Sequence, residues 1–156
     1  MKNIFLLTLA FFAFSSCQSD DSQDPGPELM NIDFESVMKS EFSGEPIAAG
    51  EFIINTNAEW ADFTALANSV YIGQWEPLDG ISIDFENHTA IAVVHDFFGY
   101  GGHFIEITSI DEAGGTIYVQ VSKSESFGGD VTMIHCQPYQ IVTIPKTTLP
   151  VTFEYD

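Results

Sequence analysis

Gly114 to Ser122 reads GGTIYVQVS, and the alternation inside it decides the fold. Ile117, Val119 and Val121 alternate with Tyr118, Gln120 and Ser122. A period of two places the aliphatic set on one face of a strand and the polar set on the other, as in a sheet with one side in water. The glycine pair in front marks the reversal of a hairpin. On its far side Ile105 and Ile107 alternate with Glu106 and Thr108, the same pattern on the preceding strand.

Working outward, two more glycine pairs stand at similar distances, Gly101-Gly102 and Gly128-Gly129. Each interval is one strand plus one turn, which predicts an antiparallel meander. Ala90 to Val94 is an unbroken apolar run, as a central strand covered on both faces requires. Val131 to Ile144 and Val151 to Tyr155 are the following strands, and Met30 to Phe42 and Glu51 to Ile54 are weaker ones. Thr56-Asn57-Ala58-Glu59 is a capping box that starts a helix. Trp60, Phe63, Ala67 and Val70 share one face of it, so a helix over about residues 57–70 packs on the sheet through core side chains, with Gly73 its latest end. The fold expected is mainly β, a β-rich α+β class. It is a meander built as a sandwich or open barrel, with one short amphipathic helix.

In a meander alternate turns share one end of the sheet. The first and third glycine pairs therefore share a rim, and both follow aromatics: Phe97, Phe98 and Tyr100 before Gly101-Gly102, Phe127 before Gly128-Gly129. The middle turn has none. Aromatics on glycine-hinged loops are buried either by folding back on the core or by a partner. Phe97, Phe98, Tyr100, Gly101, Gly102, His103, Phe127, Gly128 and Gly129 are thus the candidate partner-binding residues. If they face a partner, joint replacement of Phe98, Tyr100 and Phe127 by Ser leaves stability nearly unchanged; if they cap the core, it does not.

His95 and His103 bracket the first loop, with Asp96 and Asp130 near, while His88 and His135 belong to other segments. No spacing matches a zinc or calcium motif, so neither a metal nor another cofactor is expected. There is no G-x-S-x-G and no phosphate loop. His135 and Cys136 are strand neighbours whose side chains point to opposite faces, so they are no catalytic pair and Cys136 is a small core thiol. No catalytic residue is expected.

The chain opens with Lys2, an apolar run from Ile4 to Phe14, and Ser15-Ser16-Cys17. Eleven residues, broken only by Thr8, are too few to cross a bilayer as a helix, which takes about 20. The three regions resemble a bacterial lipoprotein signal over residues 1–16, with cleavage before Cys17 and acyl chains on that cysteine. Residues 17–28, with QSDDSQDPGPE after the cysteine, form an acidic tether. Residues 29–156 form one globular domain, as 140 residues after cleavage allow. Lipid anchoring at the outer membrane, facing the cell surface, is the expected location.

Arginine is absent, and with Lys2 removed 3 lysines face 23 acids, so the formal net charge of −19 for the whole chain becomes −20. Such a field repels nucleic acid and anionic lipid surfaces, which excludes both as partners. The membrane is then met through the lipid anchor only. Any electrostatically steered partner is basic, unless the acids serve only as a solubilising coat.

FENHTAIAVV (85–94), GGHFIEI (101–107), GGTIYV (114–119), QPYQIVTIPK (137–146) and LPVTFE (149–154) resemble the C-terminal domain of the protease complex subunit PrcB family, over residues 84–154. The resemblance implies a β-rich, non-catalytic envelope lipoprotein that binds a protein partner, a surface protease among the candidates. The loop departs from the family pattern, with Phe98-Gly99-Tyr100 in place of a proline and threonine and His103 in place of a tyrosine. In its family form that loop is also similar to the loop of chagasin-type cysteine-protease inhibitors. The alternative function is therefore a protease inhibitor acting through the aromatic, glycine-rich loops.

Overall fold

The structure, a computed structural model, describes residues 28–42, 45–69, 78, 80–124 and 135–156. Its elements in chain order are β1 (Met30–Asn31), β2 (Glu35–Phe42), β3 (Gly50–Ile54), α1 (Asn57–Ser69), β4 (His88–Val94), β5 (Phe104–Ala113), β6 (Thr116–Ser124), β7 (Gln137–Pro145) and β8 (Val151–Tyr155). The strands form two four-stranded sheets, ordered β1-β5-β6-β8 and β2-β7-β4-β3. The fold is thus a β-rich α+β sandwich, with one short helix and no closed barrel among the described residues.

The alternating strands and the unbroken one part for a physical reason. In the first sheet Ile105, Ile107, Ile110, Ile117, Val119 and Val121 face the other sheet, while Glu106, Thr108, Tyr118, Gln120 and Ser122 face outward and are at least partly in water. In β4 alternate residues serve two cores. Ile91 and Val93 join the core between the sheets; Ala90, Ala92 and Val94 join a second core beneath α1, with Trp60, Phe63, Ala67, Tyr139 and Ile141. A middle layer covered on both faces has no polar side to show, hence an apolar run without alternation.

The capping box forms as expected. The Glu59 N–H donates to Thr56 Oγ1 at 3.2 Å, and the Glu59 carboxylate accepts from the Thr56 and Asn55 N–H groups at 3.1 and 2.7 Å. Those bonds, Asn55 first, hold the Glu59 carboxyl below its usual range. Trp60 is buried and its Nε1 donates to Ile81 O at 3.3 Å. Val70 and Gly73 lie outside the described residues.

The meander is not the observed order. Gly114 and Gly115, with φ of 58° and 79°, close a two-residue hairpin between β5 and β6, a conformation that needs positive φ at both positions. Gly101-Gly102 instead lies where the chain leaves one sheet for the other, since β4 pairs with β3 and β7 while β5 pairs with β6 and β1. A glycine pair reports a reversal; it does not say which sheet the returning strand joins. β6 and β8 pair in parallel, with β7 in the opposite sheet as the crossover that a parallel pair needs.

Among the described residues no helix is long and apolar enough to cross a membrane. Residues 1–27 lie outside them, so the expected signal, Cys17 and most of the tether do too.

Candidate functional site

Strand direction brings the candidate loop and its neighbours to one pole of the sandwich. The chain continues past Val94 along β7: the His95 N–H donates to Pro138 O at 2.8 Å, and Phe98 and Cys136 exchange backbone hydrogen bonds at 2.8 and 3.0 Å. It then turns through Gly99 to Gly102, where Gly102 takes a φ of +96°, and enters β5 after His103. At the same pole Ser124 ends β6 opposite Phe104, and Cys136 precedes β7. Both flanks of the second aromatic turn are therefore beside the first loop. Phe127, Gly128, Gly129 and Asp130 lie outside the described residues.

Within the loop the rings form a ladder. The His95 ring meets Phe98 edge-on, with centroids 4.8 Å apart; Phe98 lies flat on His103 at 3.5 Å and 3°; Tyr100 covers His103 at 4.8 Å and 55°. Phe97 leaves the ladder and packs against His135 at 5.2 Å. His95 and His103 are buried, Phe97 and Phe98 are half-buried, and Tyr100 is 40% exposed. Gly101 is buried and Gly102 exposed. The described aromatics of the loop thus differ in exposure. Phe98 is half-buried between the His95 and His103 rings, and Tyr100, 40% exposed, presents its ring outward from a base that is held.

Several polar groups do the holding. The Cys136 thiol donates to Tyr100 O at 3.2 Å, and burial pushes its pKa up. His135 is exposed and Cys136 buried, on opposite faces as expected. Gln137, buried at the start of β7, donates through Nε2 to Ile47 O and His95 O at 2.9 Å each and accepts from the Ile47 N–H at 3.0 Å. One amide joins the loop before β3, the end of β4 and the start of β7. Gln140 reaches across to the first sheet, where its Oε1 accepts from the Ile107 N–H at 2.6 Å, beside the bulge that shifts the β5 register between Ile107 and Ser109. Sequence reasoning missed both glutamines. Their signal was a polar residue interrupting an otherwise apolar strand.

His95 is shifted toward its neutral form. Burial lowers its pKa most, the Asp96 carboxylate opposes that, and the positive charge of nearby Lys123 lowers it further. The Asp96 N–H donates to His95 Nδ1 at 2.7 Å, which leaves the ring proton on Nε2. Beside it is a cavity of about 220 Å³ lined by Glu51, Lys123 and Tyr155, where the Tyr155 hydroxyl donates to the Glu51 carboxylate and the Lys123 ammonium sits 4.2 Å from the Tyr155 ring. His103 has no hydrogen-bond partner for either ring nitrogen among the described residues, although it is 3% exposed. Stacking against Phe98 and Tyr100 is what holds it in place.

The pole is built from stacked rings and buried polar groups. Its thiol is buried with a raised pKa, and its one histidine with a resolved shift is pushed toward the neutral form. No group of three or more His, Cys, Asp or Glu side chains able to hold a metal occurs among the described residues. Scans of the chain against protein-family models, curated proteins and solved structures find no match.

Proposed function

We propose that this chain is a lipid-anchored, non-catalytic binding module of the bacterial envelope, similar to an accessory subunit of a protease complex, which captures a protein partner at the pole carrying Tyr100. The observation that carries the reading is the state of that ring. It is well exposed, yet its backbone is tied by the Cys136 thiol and its inner face rests on a buried histidine. A rigid aromatic loses little freedom on binding, which is why such residues anchor interfaces. A location at the outer membrane is supported by the resemblance of residues 1–16 to a lipoprotein signal, by the acidic stretch after Cys17 and by the resemblance of residues 84–154.

The test is crosslinking on intact cells followed by mass spectrometry, with wild type beside Tyr100→Ser. The substitution is expected to remove a specific crosslinked partner while costing less than about 1 kcal/mol of stability. Equal capture by both proteins would sink the reading. Phe98 is a poor choice for this experiment, because its loss exposes His103 and confounds binding with folding. Incubation with purified papain separates the inhibitor alternative: an accessory module leaves the protease active, an inhibitor does not.

A further inference from the structure

A second surface lies away from the aromatic rim. β3 is an outer strand of its sheet, hydrogen-bonded on one side to β4 and, among the described residues, to no strand on the other. Along that open side runs a groove of about 420 Å³, lined by all four residues 51–54 of β3 and by the facing side of α1. Consecutive strand residues point to opposite faces. A hollow that touches both sets must follow the backbone edge itself.

The floor is apolar: Phe52 and Phe63, in edge contact at 5.1 Å, with Leu66, which is 41% exposed. The rim is acidic, formed by Glu51, Glu59 and Asp62, and among the described residues no lysine lines the groove. The capping bonds hold the Glu59 carboxyl below its usual range. Ile53 is also 41% exposed on this strand. An unpaired strand edge with an exposed isoleucine is open to another chain unless charge selects against it.

Charge also chooses the occupant. A second copy would set these three acids against themselves, and the chain's own Gln18–Glu28 stretch carries four acids and no base. Both are repelled. We propose that the groove between β3 and α1 docks an extended, basic segment of a partner protein, which adds to the open edge of β3 as a further strand. Backbone pairing supplies affinity, an apolar side chain fills the floor, and flanking Lys or Arg side chains meet the acidic rim.

The probe is the blocked heptapeptide Lys-Val-Lys-Val-Lys-Val-Lys, titrated into the isotope-labelled protein and followed by NMR. Amide shifts are expected to concentrate on residues 50–54 and 59–66. A peptide of identical charge, N-methylated at alternate residues so that one edge cannot pair, is expected to bind at least tenfold more weakly, as is the parent peptide to Asp62→Lys. Tyr100→Ser is expected to bind the parent peptide as wild type does, so this site can fail or stand apart from the rim. Equal binding of the N-methylated peptide would overturn the proposal, since charge alone would then account for association. So would shifts scattered over the acidic surface, absence of binding, or sedimentation showing a dimer of the chain that the peptide does not dissociate.

Discussion

At the scale of single residues, buried amides and rings carry more of this fold than their sequence neighbourhood suggests. Gln137 is 1% exposed and satisfies three backbone groups. Leucine in its place has similar bulk but leaves the Ile47 N–H, Ile47 O and His95 O without that amide. With about 1–3 kcal/mol for each buried polar group left unsatisfied, and partial relief by relaxation, Gln137→Leu is expected to cost on the order of 3 kcal/mol. Chemical denaturation of the two proteins measures it, and a loss below about 1 kcal/mol would mean that the amide bridges little. His95 gives a pH dependence. Its folded pKa lies below the ordinary 6.5, chiefly because it is buried. The unfolded chain therefore takes up the proton first, so stability falls as pH drops through about 6.5, until the folded ring also protonates. Asp96, Lys123, His103 and the Glu51–Tyr155 pair of the adjoining cavity surround this ring. The slope of melting temperature against pH between 7 and 5 should be flatter in His95→Gln than in wild type. Equal slopes would assign the dependence elsewhere.

At the scale of elements, local chemistry decides where each piece begins. Thr56 accepts from the Glu59 N–H, and Glu59 answers through the N–H groups of Asn55 and Thr56. Thr56→Ala removes the capping oxygen of α1 and is expected to cost about 1 kcal/mol, readable as a lower denaturation midpoint with an unchanged slope. This cap was legible in the sequence because its partners are three residues apart. So were the β5–β6 hairpin, whose turn is local, and the two-sided burial of β4, whose composition follows from its surroundings. The sheet each strand joins was not legible. The step from β4 to β5 is a reversal at glycine, as a meander turn would be, yet it crosses between sheets. The loop shows the same limit: Phe98 and Tyr100 are both aromatics beside a glycine, and their exposure differs because His103 lies flat on Phe98 and Cys136 holds the Tyr100 backbone. Those contacts join residues up to 36 positions apart, and a period-two or helical pattern says nothing of them. Of the pole expected for the two aromatic turns, the described residues hold the first loop and the flanks Ser124 and Cys136, while Phe127 lies outside them.

At the scale of the whole molecule, electrostatics is dominated by repulsion. The chain has a formal net charge of −19 and only four lysines. Among the described residues the one lysine–carboxylate ion pair is Lys39–Glu106 at 2.8 Å, with both side chains substantially in water. An exposed pair contributes about 0–1 kcal/mol, so salt has little attraction to weaken. It has much like-charge repulsion to weaken, because unpaired acids crowd the compact state more than the expanded one. Between 0.01 and 0.15 M salt the screening length shrinks from about 30 to about 8 Å, shorter than the width of a domain of this size. The melting temperature of the domain, residues 29–156, is therefore expected to rise by several degrees over that range in sodium chloride, as scanning calorimetry at pH 7 would show. Lys39→Met should leave the rise intact, since the pair it removes opposes the trend. A melting temperature that falls with salt would mean that attractive pairs outweigh the acidic surplus, and the groove beside β3 would then lose the charge argument that selects a basic occupant.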